Sequence, residues 1–540
     1  MERHRDRLGD RTGRVGLWAV PTLFLSLFFL WPVGQLLRRG LSDNAGSLGD
    51  VFTSSSIRSA AWFTLWQATV STLLTLAVAF PLAAVMANVS FRGRRLVNAL
   101  VTIPFVLPTV VVAGAFISLS DTVGLTDGPF ALQRSVTAIL AAHVFFNIAV
   151  VVRTVGGYWQ QLSLDDEHAA RTLGSSPVDV FTRLTLRRLR PAIAAATSIV
   201  FLFTFTSFGI VLILGGARQR TIETEIYRYA ISRTDFATAA ALSVVQLVVV
   251  IGLVAINLRL RGRLGRADRI GDRLRPPSGW VRVAAPAVVL VTLGLLFVPI
   301  ASLVQGAFTP ADSVGLDYFR ALGERPPFLT VSPQRAMLNS LTFALVATLI
   351  STVMGGWVSL AIVYGRSRIS GLLDIGYLLP LGLSAVTLGL GMLITFDSGW
   401  LDLRQSWIII PLAQALIGIP FVTRAVVPVL RSIDPNLRHA AATLGASPGH
   451  VWRTIDGPIA RRALAIGAGF SFAISLGEFG ATSFVGRRPD AMTVPLAIAR
   501  LLSQPGDAIR GQAMALSVVL MVVTTLVLLA VDRADGSNVL

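Results

Sequence analysis

Twelve apolar stretches constrain this chain more than any other feature. They lie near residues 15–37, 61–87, 97–118, 135–156, 191–213 and 236–258, then near 283–305, 339–364, 371–396, 408–427, 464–486 and 511–531. Each is long enough to cross a hydrocarbon core of about 30 Å as a helix. A bilayer offers the backbone no water to bond, so each stretch is expected to pair its own N–H and C=O groups as a helix. The expected fold class is therefore an all-α polytopic membrane protein of about 12 transmembrane helices. Composition agrees: 53% of the residues are hydrophobic and only 14% charged, against about 25% charged in soluble domains. A multi-domain soluble enzyme is excluded.

The charge needs a different reading. The formal net charge is +18, and every one of the 47 basic residues is arginine. With the N-terminus placed in the cytoplasm, 29 arginines fall in the N-terminal arm, the cytoplasmic loops and the tail, against 16 in the opposite loops. Arg153 and Arg424 sit near cytoplasmic helix ends. This asymmetry follows the positive-inside rule and predicts N-in, C-in topology, with no need for nucleic acid as a partner. Arg38-Arg39 follows the first apolar run directly, so that run is expected to be an uncleaved helix. Absent cysteine removes disulfides, thiolate catalysis and Cys-type zinc sites. Absent lysine removes the phosphate-binding loop of ATPases, whose Gly-rich turn ends in Lys-Ser/Thr. If ATP drives this protein, another chain binds it.

The two sets of six spans flank a linker with eight arginines and Pro276-Pro277. The expected organisation is a cytoplasmic arm at 1–14, a first repeat at 15–258, a basic cytoplasmic linker at 259–282, a second repeat at 283–531 and a tail at 532–540. A duplication is confirmed within the sequence by the loop after the fourth span of each half. His168-Ala169-Ala170-Arg171-Thr172-Leu173-Gly174-Ser175-Ser176-Pro177 and His439-Ala440-Ala441-Ala442-Thr443-Leu444-Gly445-Ala446-Ser447-Pro448 agree at eight of ten positions at an offset of 271 residues. The same offset pairs Arg153 with Arg424 and Phe208-Gly209 with Phe479-Gly480. Within each loop, Gly174 or Gly445 can end one helix in the left-handed conformation. Ser176 or Ser447 can then cap the next helix, with Pro177 or Pro448 preset at its first position. A tight helix–turn–helix carrying a short stiff helix is expected.

At these residues the chain resembles the membrane permease subunits of bacterial ATP-binding-cassette (ABC) importers. Their signature runs Glu-Ala-Ala, three residues, Gly, nine residues, Ile-x-Leu-Pro. Ala440-Ala441, Gly445, Ile455 and Pro458 match it in the second copy; Ala169-Ala170, Gly174, Leu184 and Leu186 do so in the first. His168 and His439 stand at the Glu position, Arg187 replaces the first Pro, and Gly457 replaces the second Leu. The resemblance implies a type I importer fold in a bacterial cytoplasmic (inner) membrane and coupling helices that dock on a separate ATPase dimer. It also implies an extracytoplasmic substrate-binding protein as a second partner, with Mg-ATP on the ATPase and no cofactor in this chain. The fused, duplicated form is similar to the thiamine and ferric-iron permease branch. The stretch from Ser207 to Gly216, followed by Thr221–Tyr227, looks closer to the thiamine type.

Ionisable groups inside a membrane are costly and usually face protein or a water-filled path. Glu478 is the foremost pathway candidate, and its partner at the 271-residue offset is Ser207, beside Thr204 and Thr206. Facing a common axis, the pair would form an asymmetric polar constriction suited to a cation; the alternative role for Glu478 is to cap a helix. The hydroxyls are weaker pathway candidates than Glu478, because small hydroxyl residues commonly serve helix packing in membranes. His143, beside Phe145 and Asn147 with no second ligand four residues on, reads as an interhelical hydrogen-bonder rather than a metal ligand. Asp374 reads as interfacial, and Pro104, Pro108 and Pro380 as kinks in the third span of each half. A secondary ion-coupled transporter is the competing reading, but the spans offer few carboxylates for a coupling site. A membrane enzyme is disfavoured by the scarcity of clustered His, Asp and Glu.

Overall fold

The computed structural model describes residues 17–42, 49, 53–128, 130–216, 218–262, 273–310, 313–365, 368–397 and 401–535. The N-terminal arm, residues 263–272 of the linker and the last five residues of the tail lie outside the described residues.

The helices follow the duplicated pattern. In the first half they are α1 (Leu17–Leu41), α2 (Ser55–Asn88), α3 (Arg94–Val106), α4 (Thr109–Val123), α5 (Val136–Gln160), α6 (Asp165–Thr172), α7 (Pro177–Phe205), α8 (Gly209–Leu214), α9 (Ile222–Tyr227) and α10 (Phe236–Leu260). In the second half they are α11 (Val281–Phe308), α12 (Pro333–Tyr364), α13 (Ser370–Pro380), α14 (Ala385–Phe396), α15 (Ile409–Ser432), α16 (Pro435–Thr443), α17 (Gly449–Gly477), α18 (Thr482–Val485), α19 (Val494–Leu502) and α20 (Asp507–Val531). Among the described residues, 10 helices can span a membrane singly, and the bent pairs α3/α4 and α13/α14 raise the number to 12 if each pair is one span.

Those pairs are the third spans, bent by 101° and 102°. The first bend falls at Leu107-Pro108, where the extended Pro108 backbone starts α4. Its counterpart falls at Ser384, whose hydroxyl accepts the N–H of Val386 at 3.1 Å, while Pro380 sits inside the preceding helix. The fifth and eleventh spans differ from the expectation. Both begin earlier, in the loop, and both break before the apolar run ends, at Thr206–Phe208 and at Glu478–Ala481. Each break is only three or four residues long and includes a phenylalanine, so a hydropathy average over a span-length window still reads the run as continuous. A second difference follows. The short stiff helix expected after each loop glycine is not separate, because α7 and α17 run from the loop into the span without interruption. Each passes through one π-helical turn, Val180–Thr185 or Trp452–Asp456. Such turns are rare and concentrate at functional positions.

The chain forms two compact units that do not follow the linear halves. One comprises α1, Ile226–Leu247 and α12 to α20; the other comprises α2 to α8, most of α9, the end of α10 and α11. The first span of each half thus packs with the helices of the other half. In the former unit α1 lies so close to α14 that a Cβ on Gly391 would stand 3.2 Å from the Pro32 carbonyl. The Tyr377 hydroxyl donates to the Pro21 carbonyl at 2.7 Å. In the latter unit α11 lies on α4, the equivalent helix, through Ser118 donating to the Ser302 carbonyl at 2.8 Å and Thr122 bonding the Ser302 hydroxyl at 2.9 Å. Lipid offers no hydrophobic gain for helix pairing, so small residues and hydroxyls carry it, at about 0.6 kcal/mol per bond. The core of the former unit uses the same device. A Cβ on Gly355 would reach Val422 at 2.7 Å, and one on Gly418 would meet the Ser471 and Ser351 hydroxyls.

Candidate functional site

The two loops fold alike in detail. In the first, Gly174 takes φ +88° and receives the chain from α6 in a Schellman motif: Ser175 N–H bonds Ala170 O at 3.0 Å and Gly174 N–H bonds Arg171 O at 3.0 Å. In the second, Gly445 takes φ +81°, with Ala446 to Ala441 and Gly445 to Ala442 both at 3.0 Å. The left-handed position is open to glycine and costs other residues strain. Ser176 then accepts the N–H of Asp179 at 3.1 Å and donates to its carboxylate at 2.7 Å. This is an N-cap by Ser176, with the Asp179 carboxylate bonded back to the capping hydroxyl. Ser447 accepts the N–H of His450 at 3.3 Å, and Pro448 begins the helical turn Pro448–Val451 that leads into α17. Ala169, Ala440 and both histidines are exposed. His168 Nε2 accepts from the Arg275 guanidinium at 2.8 Å, so the histidine in the family's Glu position has its own local partner. Pro458 stands in the first turn of the helical segment that follows the second π turn.

Sequence reading overlooked two features here. Leu173 and Leu444, at the duplicated position before each glycine, are 87% and 88% exposed. Each is a bulky apolar group left bare on a turn, at the same place in both copies. Their signal was present in the eight-of-ten match, where an identical leucine serves no core. The second feature is a clamp at the root of each loop. In the second copy Arg438 donates to Asp456 at 2.9 Å and to the Tyr364 hydroxyl at 2.9 Å, while Tyr364 donates to Asp456 at 2.7 Å. In the first copy, Glu167 accepts from Thr185 at 2.9 Å and pairs with Arg273.

The span breaks hold the other candidates. Glu478 is 7% exposed, and its carboxylate accepts the N–H of Ala481 at 2.7 Å, the N–H of Thr482 at 2.9 Å and the Thr482 hydroxyl. The side chain thereby caps α18. The segment is seated closely on α14: a Cβ on Gly389 would stand 2.7 Å from the Ala481 backbone, and one on Gly480 would stand 2.9 Å from Ala385. At the equivalent break the Ser207 hydroxyl bonds His143 Nε2 at 2.8 Å, and His143 Nδ1 bonds Ser71 at 3.0 Å. His143 thus ties α2, α5 and the break together, as an interhelical hydrogen-bonder does. Thr204 and Thr206 return their hydroxyls to the carbonyls of Val200 and Leu202, both at 2.9 Å. Gln67 on α2 donates to the Thr204 carbonyl at 2.9 Å, satisfying one of the groups freed where α7 ends. Glu223 and Glu225 on α9 are wholly buried, and nothing in their local pattern marks burial. Asp374 lies 3.7 Å from Arg431, both half-exposed. In the loop before α19, two bonds from Arg488, at 2.8 and 2.5 Å, hold the Asp490 carboxyl below the usual carboxylate range.

Paired six-span halves, span breaks at one offset and twin glycine-hinged loops define the membrane component of a binding-protein-dependent importer. The family described as "Binding-protein-dependent transport system inner membrane component" matches residues 79–262 and again 347–536, and the chain belongs to it. It is a fused, duplicated ABC-type permease of the type I fold, a multi-pass inner-membrane channel component and not an enzyme, the ATPase being a separate subunit. Both matches leave out the exchanged helices α1 and α11.

Among known proteins it is similar to the thiamine transport system permease protein ThiP of Brucella abortus (strain 2308), with 28% identity over 511 residues and 88% of each chain covered. The ThiP of Escherichia coli K12 is 26% identical over 497 residues, covering 88% of this chain and 89% of its own. The probable ABC transporter permease protein y4fN of Sinorhizobium fredii (NGR234) is 23% identical over 500 residues, covering 87% and 86%.

Proposed function

We propose that this chain is the translocation subunit of an ATP-driven importer for thiamine, delivered by an extracytoplasmic binding protein and moved by alternating access. The carrying observation is the direct mechanical line in each half. A docking turn with a bare leucine continues through one π turn into a single helix that ends at a break in the membrane. Closure of a cytoplasmic ATPase dimer, where Mg-ATP would bind, displaces α6 and α16. The motion passes along α7 and α17 to the segments at Thr204–Gly209 and Gly477–Thr482. Non-helical backbone at membrane depth is tolerated where it is buried in protein or lines a water-filled cavity, so each segment is a candidate moving element within its own unit. The topology is N-in, C-in, with repeats at 15–258 and 283–531 joined by the cytoplasmic linker.

Thiamine is supported over ferric iron by the names of the relatives. A buried acid supports a cationic substrate: Glu478 puts a carboxylate at a break in an apolar span. The deciding experiment is uptake into proteoliposomes holding this chain, its ATPase and its binding protein. Labelled thiamine should accumulate only with internal ATP, and ferric iron should not compete. Uptake that follows a proton or sodium gradient and ignores ATP would establish the ion-coupled alternative.

A further inference from the structure

We propose that the C-terminal end of the mid-chain linker, from Arg273 onward, is a strap that seats the first coupling loop, with Arg273 as its positioning residue. The proposal rests on the coupling role given to that loop above. Arg273 is 3% exposed and reaches three segments at once. Its Nε donates to Asn88 Oδ1 at 2.7 Å, one terminal nitrogen donates to the Leu162 carbonyl at 3.1 Å, and the other pairs with the Glu167 carboxylate. These acceptors belong to the end of α2, the turn before α6, and α6 itself. Two residues on, the backbone of Arg275 is bonded on both sides: its N–H to the Asn88 carbonyl at 3.1 Å, its carbonyl to the Ser90 N–H at 2.8 Å. The Arg275 side chain then bonds His168, the residue after Glu167. Linker residues therefore hold consecutive side chains of α6 while lying along the end of α2.

Comparing the two copies shows why a linker arginine is needed. At the 271-residue offset, Glu167 corresponds to Arg438 and Thr185 to Asp456. In the second copy the loop helix supplies the cation and the following π turn supplies the anion, so the clamp closes within the repeat. In the first copy the loop helix supplies the anion and the π turn only a hydroxyl. The cation comes instead from the linker, whose chain runs on through Trp280 into α11. Tilting α6 must then either drag the linker or break a buried ion pair, whereas among the described residues α16 is held by a pair within its own repeat. Removing one partner of a buried pair leaves the other charged and unsatisfied, which is the costly case.

The test uses the assembled transporter and three variants. Arg273→Gln should lower thiamine uptake per ATP hydrolysed at least tenfold while the ATPase still co-purifies. It should also speed amide hydrogen exchange in residues 165–185 by tenfold or more, leaving residues 436–456 unchanged. Arg273→Lys, able to reach fewer acceptors, should fall between. Glu167→Arg/Thr185→Asp combined with Arg273→Gln rebuilds the Arg–Asp pair of the second copy's clamp in the first, without the Tyr364 hydroxyl, and should restore both readouts to within twofold of wild type. Unchanged exchange and unchanged uptake per ATP in Arg273→Gln overturn the strap. So does a triple variant no better than Arg273→Gln. If Arg273→Gln does not fold, the triple variant decides alone. Hydrogen exchange reads the strap without any transport, so failure of ATP-driven uptake in wild type would refute the functional reading and leave the strap to be judged separately.

Discussion

Replacing Gly445 by valine isolates the contribution of one backbone angle to coupling. The residue sits at φ +81°, and a Cβ built there meets nothing within 4 Å, so the penalty comes from the backbone rather than from a clash with neighbours. Holding an L-residue in the left-handed region costs roughly 1–2 kcal/mol, and strained positions of this kind run to about 3 kcal/mol, with β-branched residues at the upper end. If valine instead leaves that region, the bonds from Ala446 to Ala441 and from Gly445 to Ala442 are lost, each worth about 1 kcal/mol net. Either route shifts the loop by about 2–3 kcal/mol, or roughly 30- to 150-fold in the population of the docking geometry at about 1.4 kcal/mol per tenfold. Side-by-side uptake assays of Gly445→Asn, Gly445→Ala and Gly445→Val should fall in that order, because asparagine tolerates the region best. Protein yield and melting temperature should stay near wild type, since the loop is exposed and touches no core. Equal transport by all three variants would refute the hinge argument, and alanine falling below valine would show that side-chain contact rather than φ controls the turn.

Three further outcomes follow from the geometry. Leu444→Asp should weaken capture of the ATPase about tenfold in a pull-down, and the Leu173→Asp/Leu444→Asp double variant should abolish it, while purified permease melts normally. Glu478→Gln keeps one acceptor oxygen but turns an NH₂ toward a backbone N–H, an unsatisfied contact costing about 1–3 kcal/mol; uptake should drop several-fold with ATPase binding unchanged, and unchanged uptake would remove Glu478 from the transport mechanism. Gly389→Ala must push α14 away from the Ala481 backbone, 2.7 Å from the added carbon; a destabilisation of about 1–3 kcal/mol should lower the melting temperature in detergent, and a wild-type value would show that this packing is looser than described.

Much of the site was readable before any coordinates, because its determinants are local. Ser176 capping α7's first turn and Gly174 closing α6 involve residues within a few positions of one another, and short-range patterns encode them faithfully. Glu478 was less readable. Its sequence context showed a carboxylate in an apolar run, but whether that carboxylate caps a helix depends on where the run breaks, which hydropathy averages conceal. The clamps were hidden for a different reason. Arg273 and Glu167 are separated by 106 residues, and the repeat itself misleads there, since the equivalent positions carry opposite chemistry.

The sequence by itself determined that the chain crosses a membrane, that it does so as two related halves with matching glycine-hinged loops, and that it carries no phosphate-binding loop. These are consequences of apolar length, of an offset shared by distant residues, and of a missing lysine. Only the tertiary structure decided that α1 and α11 are exchanged between the compact units and that Arg273 and Arg275 bond Glu167 and His168 of α6. In lipid all apolar helix faces are nearly equivalent, so partner choice falls to a few close approaches and hydroxyl bonds, such as Gly391 on Pro32 and Ser118 on Ser302, which acquire meaning once the backbones are brought together.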